Sequence, residues 1–133
     1  MPIAKSNRKR RHSKLAGGMR MVKEMVLAKK KAGLTREEFI MQYEEVLAPL
    51  VLKHCPGIKK YARNYVRTKL TVPPGVEELE FDCITEVWYG SKEDFKAFAE
   101  FAMSEEGKII FDTEETFMDT SKTIAVLMEE SFS

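Results

Sequence analysis

Thr35-Arg36-Glu37-Glu38-Phe39 and Ser91-Lys92-Glu93-Asp94-Phe95 agree position by position in chemical type, at a constant offset of 56 residues. In each, a hydroxyl residue precedes two acids. This is the pattern of a capped helix start, in which the hydroxyl accepts from an otherwise unpaired first-turn amide and an acid three residues on reaches back. Each copy also follows an apolar run and a glycine, Gly33 in one case and Gly90 in the other. Capping alone does not call for the shared phenylalanine, so the two stretches mark an internal repeat of strand, glycine and helix.

The remaining elements fall into place around these two anchors. Residues 21–30, with Val22, Met25, Val26 and Leu27, read as a first strand. The helix that starts at Thr35 carries Phe39, Tyr43, Val46/Leu47 and Leu50 at spacings of three and four, and Pro49 followed by Pro56-Gly57 is expected to end it. In residues 60–69, Tyr61, Arg63, Tyr65 and Arg67 alternate with Ala62, Asn64 and Val66, the period of a strand. Residues 71–79, with Pro73-Pro74-Gly75, form a connection, and residues 81–89 a third strand. The second helix turns Phe95, Phe98, Ala99 and Ala102 inward and closes at Gly107. Residues 108–118 read as a further helical or lid-like segment. A last strand over residues 122–128 has Ile124, Val126 and Met128 on one face. The order β-α-β-β-α-β predicts an α+β, ferredoxin-like domain: a four-stranded antiparallel sheet with helices on one face. The uncovered face is apolar enough to predict a sheet-to-sheet homodimer.

The 133 residues suit one domain. With 44% hydrophobic and 32% charged residues, the composition is that of a soluble globular chain. No apolar run approaches the roughly 20 residues of a membrane span, and no signal peptide is apparent. A cytoplasmic protein without membrane contact is therefore expected. The net charge of +1 conceals a segregation: residues 1–20 carry seven Lys/Arg and no acid, and the rest carries 15 basic against 21 acidic residues. Residues 1–20 therefore read as a basic arm, expected to be flexible, ahead of an acidic domain at 21–133. The arm reads as a solvated tail, as sequence ahead of an internal start at Met19 or Met21, or as a contact for an anionic partner. Cys55 and Cys83 form neither a disulfide framework nor a zinc set, and are expected to be buried thiols. Phosphate-loop, metalloprotease and serine-hydrolase motifs are missing from the sequence. The third strand, Phe81-Asp82-Cys83-Ile84-Thr85-Glu86-Val87-Trp88, is too acidic for an RNA-recognition module, so nucleic acid is not an expected partner.

Several stretches together resemble the EthD family of dimeric α/β-barrel proteins. They are Lys31-Ala32-Gly33-Leu34-Thr35-Arg36-Glu37-Glu38-Phe39, Ala48-Pro49-Leu50, Pro56-Gly57-Ile58-Lys59-Lys60-Tyr61, Glu86-Val87-Trp88-Tyr89 and Phe117-Met118-Asp119. The resemblance covers roughly residues 21–130. It implies a ferredoxin-like fold, a sheet-to-sheet dimer and a ligand cavity between helices and sheet. It also implies action without cofactor or metal on small aromatic or polyketide-like molecules, as in decarboxylases, cyclases, isomerases and monooxygenases. Family members commonly carry a histidine just before Ala-Pro-Leu, where it serves as a general acid/base. Here that position is Leu47, which transfers no proton. A non-catalytic ligand-binding or accessory dimer on the same fold is the alternative, and a dimeric scaffold whose arm meets an anionic partner is a third reading.

Site candidates follow from the two central strands. Ile84, Glu86 and Trp88 share one face of the third strand, and Ala62, Asn64 and Val66 one face of the second. If those faces look toward the helices, Cys83, Thr85, Val87 and Tyr89, with Tyr61 and Tyr65, lie on the uncovered side. In that register Glu86 is the catalytic carboxylate, with a pKa raised by apolar surroundings, and His54 is the substitute imidazole. Asn64 holds a ligand oxygen, Trp88 and Tyr43 offer aromatic walls, and Leu47 lines the pocket. For Glu86 the competing reading is an ion pair with Arg63 or Arg67 or a reach into solvent at a sheet end, for Trp88 and Tyr43 plain core, and for His54 a surface or capping role.

Overall fold

The computed structural model describes residues 21–75 and 81–131. The basic arm at 1–20 and the end of the 71–79 connection lie outside these. Strand β1 (Val22–Ala28) leads through Gly33, whose φ of 91° is in the left-handed region that glycine tolerates, into helix α1 (Arg36–Gln42). The capping box forms in full: Thr35 Oγ1 accepts from the Glu38 amide at 3.1 Å, and the Thr35 amide donates to Glu38 Oε1 at 2.9 Å. The second copy forms the first half of that exchange, with Ser91 Oγ accepting from the Asp94 amide at 3.0 Å.

Pro49 does not stop the helix. Helix α1 runs into a π-helical turn (Tyr43–Leu47), which runs directly into helix α2 (Ala48–His54), with the proline in the first turn of α2. A proline deprives an α-helix of one donor and crowds the turn before it. In the wider π turn the Ala48 amide reaches back to the Tyr43 carbonyl, so the chain passes the proline without breaking. The same turn explains the buried stripe. Phe39, Tyr43, Leu47 and Val51 recur every four residues, whereas an α-helix of 3.6 residues per turn would carry such a row round by about 40° per step. The wider turn absorbs that drift.

Strand β2 (Ile58–Tyr65) and strand β3 (Cys83–Tyr89) follow. Helix α3 (Lys92–Met103), helix α4 (Lys108–Phe117) and strand β4 (Ile124–Met128) complete the described elements. The sheet order is β2-β3-β1-β4 and all pairings are antiparallel. The ferredoxin-like arrangement expected from the element order is therefore present, and the segment expected over 108–118 is a true helix that ends at Phe117. Ala99 is exposed rather than inward.

The face assignment of the sheet is the reverse of the register on which the site candidates rested. Cys83, Thr85, Val87 and Tyr89 are buried under the helices, whereas Ile84, Glu86 and Trp88 look away from them. Strand β2 follows suit: Tyr61 packs against the core, and Arg63 reaches Glu44 on the π turn through two hydrogen bonds of 2.8 and 2.9 Å. The reason is aromatic packing. Phe39, Tyr43, Tyr65 and Phe117 form an edge-to-face cluster with centroids 5.4–6.2 Å apart, which fixes the inward side of β2. Cys55 and Cys83 are both free and buried, and burial pushes the Cys83 thiol up to about 11.

Candidate active site

A cavity of about 310 Å³ lies between the sheet and the helices. The π turn and α2 supply Tyr43, Leu47 and Val51. Strands β2 and β3 supply Tyr61, Thr85, Val87 and Tyr89, and α3 and α4 supply Phe98, Ala102, Ile110 and Phe111. Its walls are largely hydrocarbon and aromatic. Two carboxylates interrupt them: Glu24 of β1 and Glu114 of α4.

Their placement follows from element geometry. On β1, Val22, Glu24, Val26 and Ala28 share the helix-facing side, with Glu24 opposite Val87 of β3. On α4, Ile110, Glu114 and Phe117 fall at helical spacing, so Glu114 is carried into the cavity by the same stripe that buries Ile110 and Phe117. The two acids differ in support. Tyr89 donates its phenol to Glu24 Oε1 at 2.9 Å. The Glu114 carboxylate has no hydrogen-bond or ion-pair partner among the described residues.

Electrostatics follow burial. Removal from water pushes the Glu24 pKa up, and the Tyr89 hydrogen bond offsets part of that rise. Burial, reinforced by the nearby Glu24 charge, raises Glu114 to about 7, where the group is divided between acid and base at neutrality. Deeper in the cavity the Tyr43 hydroxyl and Thr85 Oγ1 are paired at 2.7 Å, and burial raises the Tyr43 and Tyr61 phenols well above their ordinary value. Among the described residues no Lys, Arg or His lines the cavity. Among the described residues, no group of three or more His, Cys, Asp or Glu stands together in a way that would hold a metal ion.

The sequence-derived candidates divide between cavity and exterior. Tyr43 and Leu47 line the cavity as expected. Glu86, Asn64 and Trp88 stand on the opposite face of the sheet. Glu86 pairs with Lys23 at 3.3 Å, and that ammonium holds its pKa below the ordinary carboxylate value instead of above it. The apolar surroundings expected to raise it belong to the other face, and its partner is Lys23 rather than Arg63 or Arg67. Asn64 donates to the Ile84 carbonyl at 2.8 Å, and Trp88 lies under the Lys23 ammonium, 5.0 Å from the ring centroid. His54, at the end of α2, stacks on Phe101 with centroids 4.7 Å apart, outside the cavity lining. The carboxylates turned into the cavity are thus Glu24 and Glu114, which the sequence reading passed over. Each is an acid inside an otherwise apolar row, at strand period in one case and helix period in the other.

An antiparallel β-α-β-β-α-β sheet with an acid-bearing, aromatic-lined cavity beneath its helices defines a small-molecule-sized pocket in a ferredoxin-like domain. The EthD domain family matches residues 31–121, and the chain belongs to that family. Solved structures agree on the fold. An EthD family protein from Bacillus halodurans is 21% identical, with 84% of this chain and 99% of that chain covered at a TM-score of 0.55. A dimeric ferredoxin-like protein of unknown function from Jannaschia is 13% identical, with 83% and 99% covered and a TM-score of 0.56. SnoaB, a cofactor-independent oxygenase from Streptomyces nogalater, is 10% identical, with 85% and 95% covered and a TM-score of 0.55. A search of curated proteins gave no match. Among the described residues no helix is long and apolar enough to cross a membrane.

Proposed function

We propose that the protein binds a small, largely apolar aromatic or polyketide-like molecule in the cavity and moves a proton on it without a cofactor. The observation that carries this reading is the carboxyl of Glu114, raised to about 7 inside a hollow of about 310 Å³ whose other polar groups are Glu24 and hydroxyls. In the ionised form Glu114 accepts a proton from an activated C–H or O–H of the ligand; in the neutral form it returns one. Glu24, fixed by Tyr89, repels a second negative charge and so keeps the Glu114 proton affinity high. Leu47, at the position of the family's helix-end histidine, acts as hydrocarbon wall. The likeness to SnoaB, whose oxygenase activity needs no cofactor, supports chemistry of this type.

The test is solvent exchange into a 1,3-diketone. The expected result is deuterium uptake at its central carbon, accelerated by the protein and lost in Glu114→Gln. Equal rates with and without protein sink the catalytic reading and leave ligand binding, the alternative for a chain with Leu47, to be assayed by titration.

The reading includes a homodimer through the uncovered sheet face. Supporting it are relatives described as dimeric, exposed Ile124, Val126 and Met128 on β4, and a buried Trp88 Nε1 with no hydrogen-bond partner among the described residues. Sedimentation should give a dimer for the parent chain and a monomer for Met25→Glu, which puts a charge at the middle of that face; a monomeric parent refutes it.

A further inference from the structure

The polar groups of the cavity have a one-sided character. Two carboxylates enter it, and among the described residues one of them has no partner and no cationic side chain accompanies them. Both side chains are partly withdrawn from water, where a counter-charge is worth more than in bulk solvent. A positively charged group on the ligand would supply that counter-charge. A ligand carboxylate would add a third like charge to a low-dielectric space, whereas a ligand ammonium removes the repulsion between Glu24 and Glu114. The walls point the same way. Tyr43, Tyr61, Phe98 and Phe111 line the same cavity with aromatic rings, and ring faces attract cations. A divalent metal ion is a poorer fit, since two carboxylates without a third side-chain ligand leave most of its coordination unmet.

We infer that the cavity selects an aromatic molecule carrying a primary amine, bound as the ammonium at Glu24 and Glu114, and rejects aromatic carboxylates. This rests on the cavity being the ligand site proposed above. Glu24, held in place by Tyr89, is the anchor. The incoming positive charge draws Glu114 toward its ionised form, so the ligand itself converts the free carboxyl into a base and displaces a proton to solvent.

The experiment compares three probes of one skeleton, tryptamine, tryptophol and indole-3-propanoate, by isothermal titration of the full chain at pH 8, with the Phe98 and Phe111 ring resonances followed in parallel. The expected result is tryptamine binding at least about tenfold more tightly than tryptophol, with no heat from indole-3-propanoate. At pH 7, tryptamine binding should release a proton, seen as a dependence of the heat on the ionisation enthalpy of the buffer. Glu24→Gln should bring the tryptamine-to-tryptophol ratio close to one, a comparison internal to that variant. Tryptophol or indole-3-propanoate binding as tightly as tryptamine, with the Phe98 and Phe111 rings shifted, overturns the amine preference and leaves the ligand site standing. Silence from all three at millimolar concentration, with those rings unmoved, overturns both.

Discussion

The phenol of Tyr89 on β3 and the carboxylate of Glu24 on β1 meet at 2.9 Å on the helix side of the sheet, one strand apart and diagonal in register. Tyr89 is almost wholly buried, and its own pKa is pushed up by burial and by the Glu24 charge, so it stays a donor throughout the accessible pH range. Tyr89→Phe deletes that donor while keeping the ring that packs on Phe95. At pH 8 the loss should cost about 1–3 kcal/mol, the penalty of an unsatisfied buried charged group. The cost should shrink as pH falls, because loss of the Tyr89 donor raises the Glu24 pKa further and favours its neutral form. Urea unfolding at pH 8 and at lower pH measures both.

Glu114 makes the protein less stable as pH rises. Its folded-state pKa of about 7 lies above the ordinary 4.5, so between those values the native state holds a proton that the unfolded chain has released. Stability contributed by the neutral carboxyl is intact below about 4.5 and is lost as pH climbs through 7. At roughly 1.4 kcal/mol per pH unit of separation, the whole effect is up to about 3 kcal/mol. Glu114→Gln should remove this slope, leaving the variant more stable than the parent at pH 8 and nearly equal to it at pH 5. Parallel unfolding curves for the two proteins across that window would contradict the assignment.

The Tyr43–Thr85 pair is buried at the inner wall of the cavity. Tyr43→Phe or Thr85→Val alone takes the short partner from a buried hydroxyl, leaving Thr85 with the Cys83 thiol at 3.4 Å or Tyr43 with Tyr61, and should cost about 1 kcal/mol, whereas the double replacement should cost clearly less than the sum. A double-mutant cycle from denaturant unfolding reads the coupling directly.

Gly107 starts the turn into α4, and a Cβ built there would lie 1.7 Å from the Phe101 carbonyl oxygen, which is backbone and already accepts from the Ser104 amide and hydroxyl. The turn must open to take any side chain. Gly107→Ala should therefore lose at least about 2 kcal/mol, lowering Tm by roughly 10 °C in a domain of this size. Because α4 carries Glu114, Ile110 and Phe111, ligand affinity should weaken with it.

Much of the scaffold can be read in the chain because its signals are local. Thr35 and Ser91 announce helix starts, the alternation in β2 and β3 announces strands, and the offset repeat orders them. Facing is a different matter. Cys83-Ile84-Thr85-Glu86-Val87-Trp88-Tyr89 is apolar on both sides, and alternation says which residues share a face without saying which face the helices take. The decision is made by partners distant in sequence, Phe39 and Phe117 packing on Tyr43 and Tyr65. That single reversal carried Glu86, Asn64 and Trp88 out of the site and left room for Glu24 and Glu114. Tyr43 and Leu47 survived it because helical spacing, unlike strand alternation, distinguishes an inside from an outside here. Pro49 misled for a related reason: the wide turn that accommodates it is set by a four-residue rhythm spread over Phe39, Tyr43, Leu47 and Val51.

That turn has a consequence for how the pocket can vary. A π turn holds one residue more than the α-helical path between the same two flanks requires, so the stretch Tyr43–Leu47 is a place where chain length can change by one without reorienting Phe39 upstream or Val51 downstream. Natural variation or deliberate deletion there would remodel the floor of the pocket and leave the surrounding architecture in place. The segment that most resists prediction is thereby the one best suited to diversification.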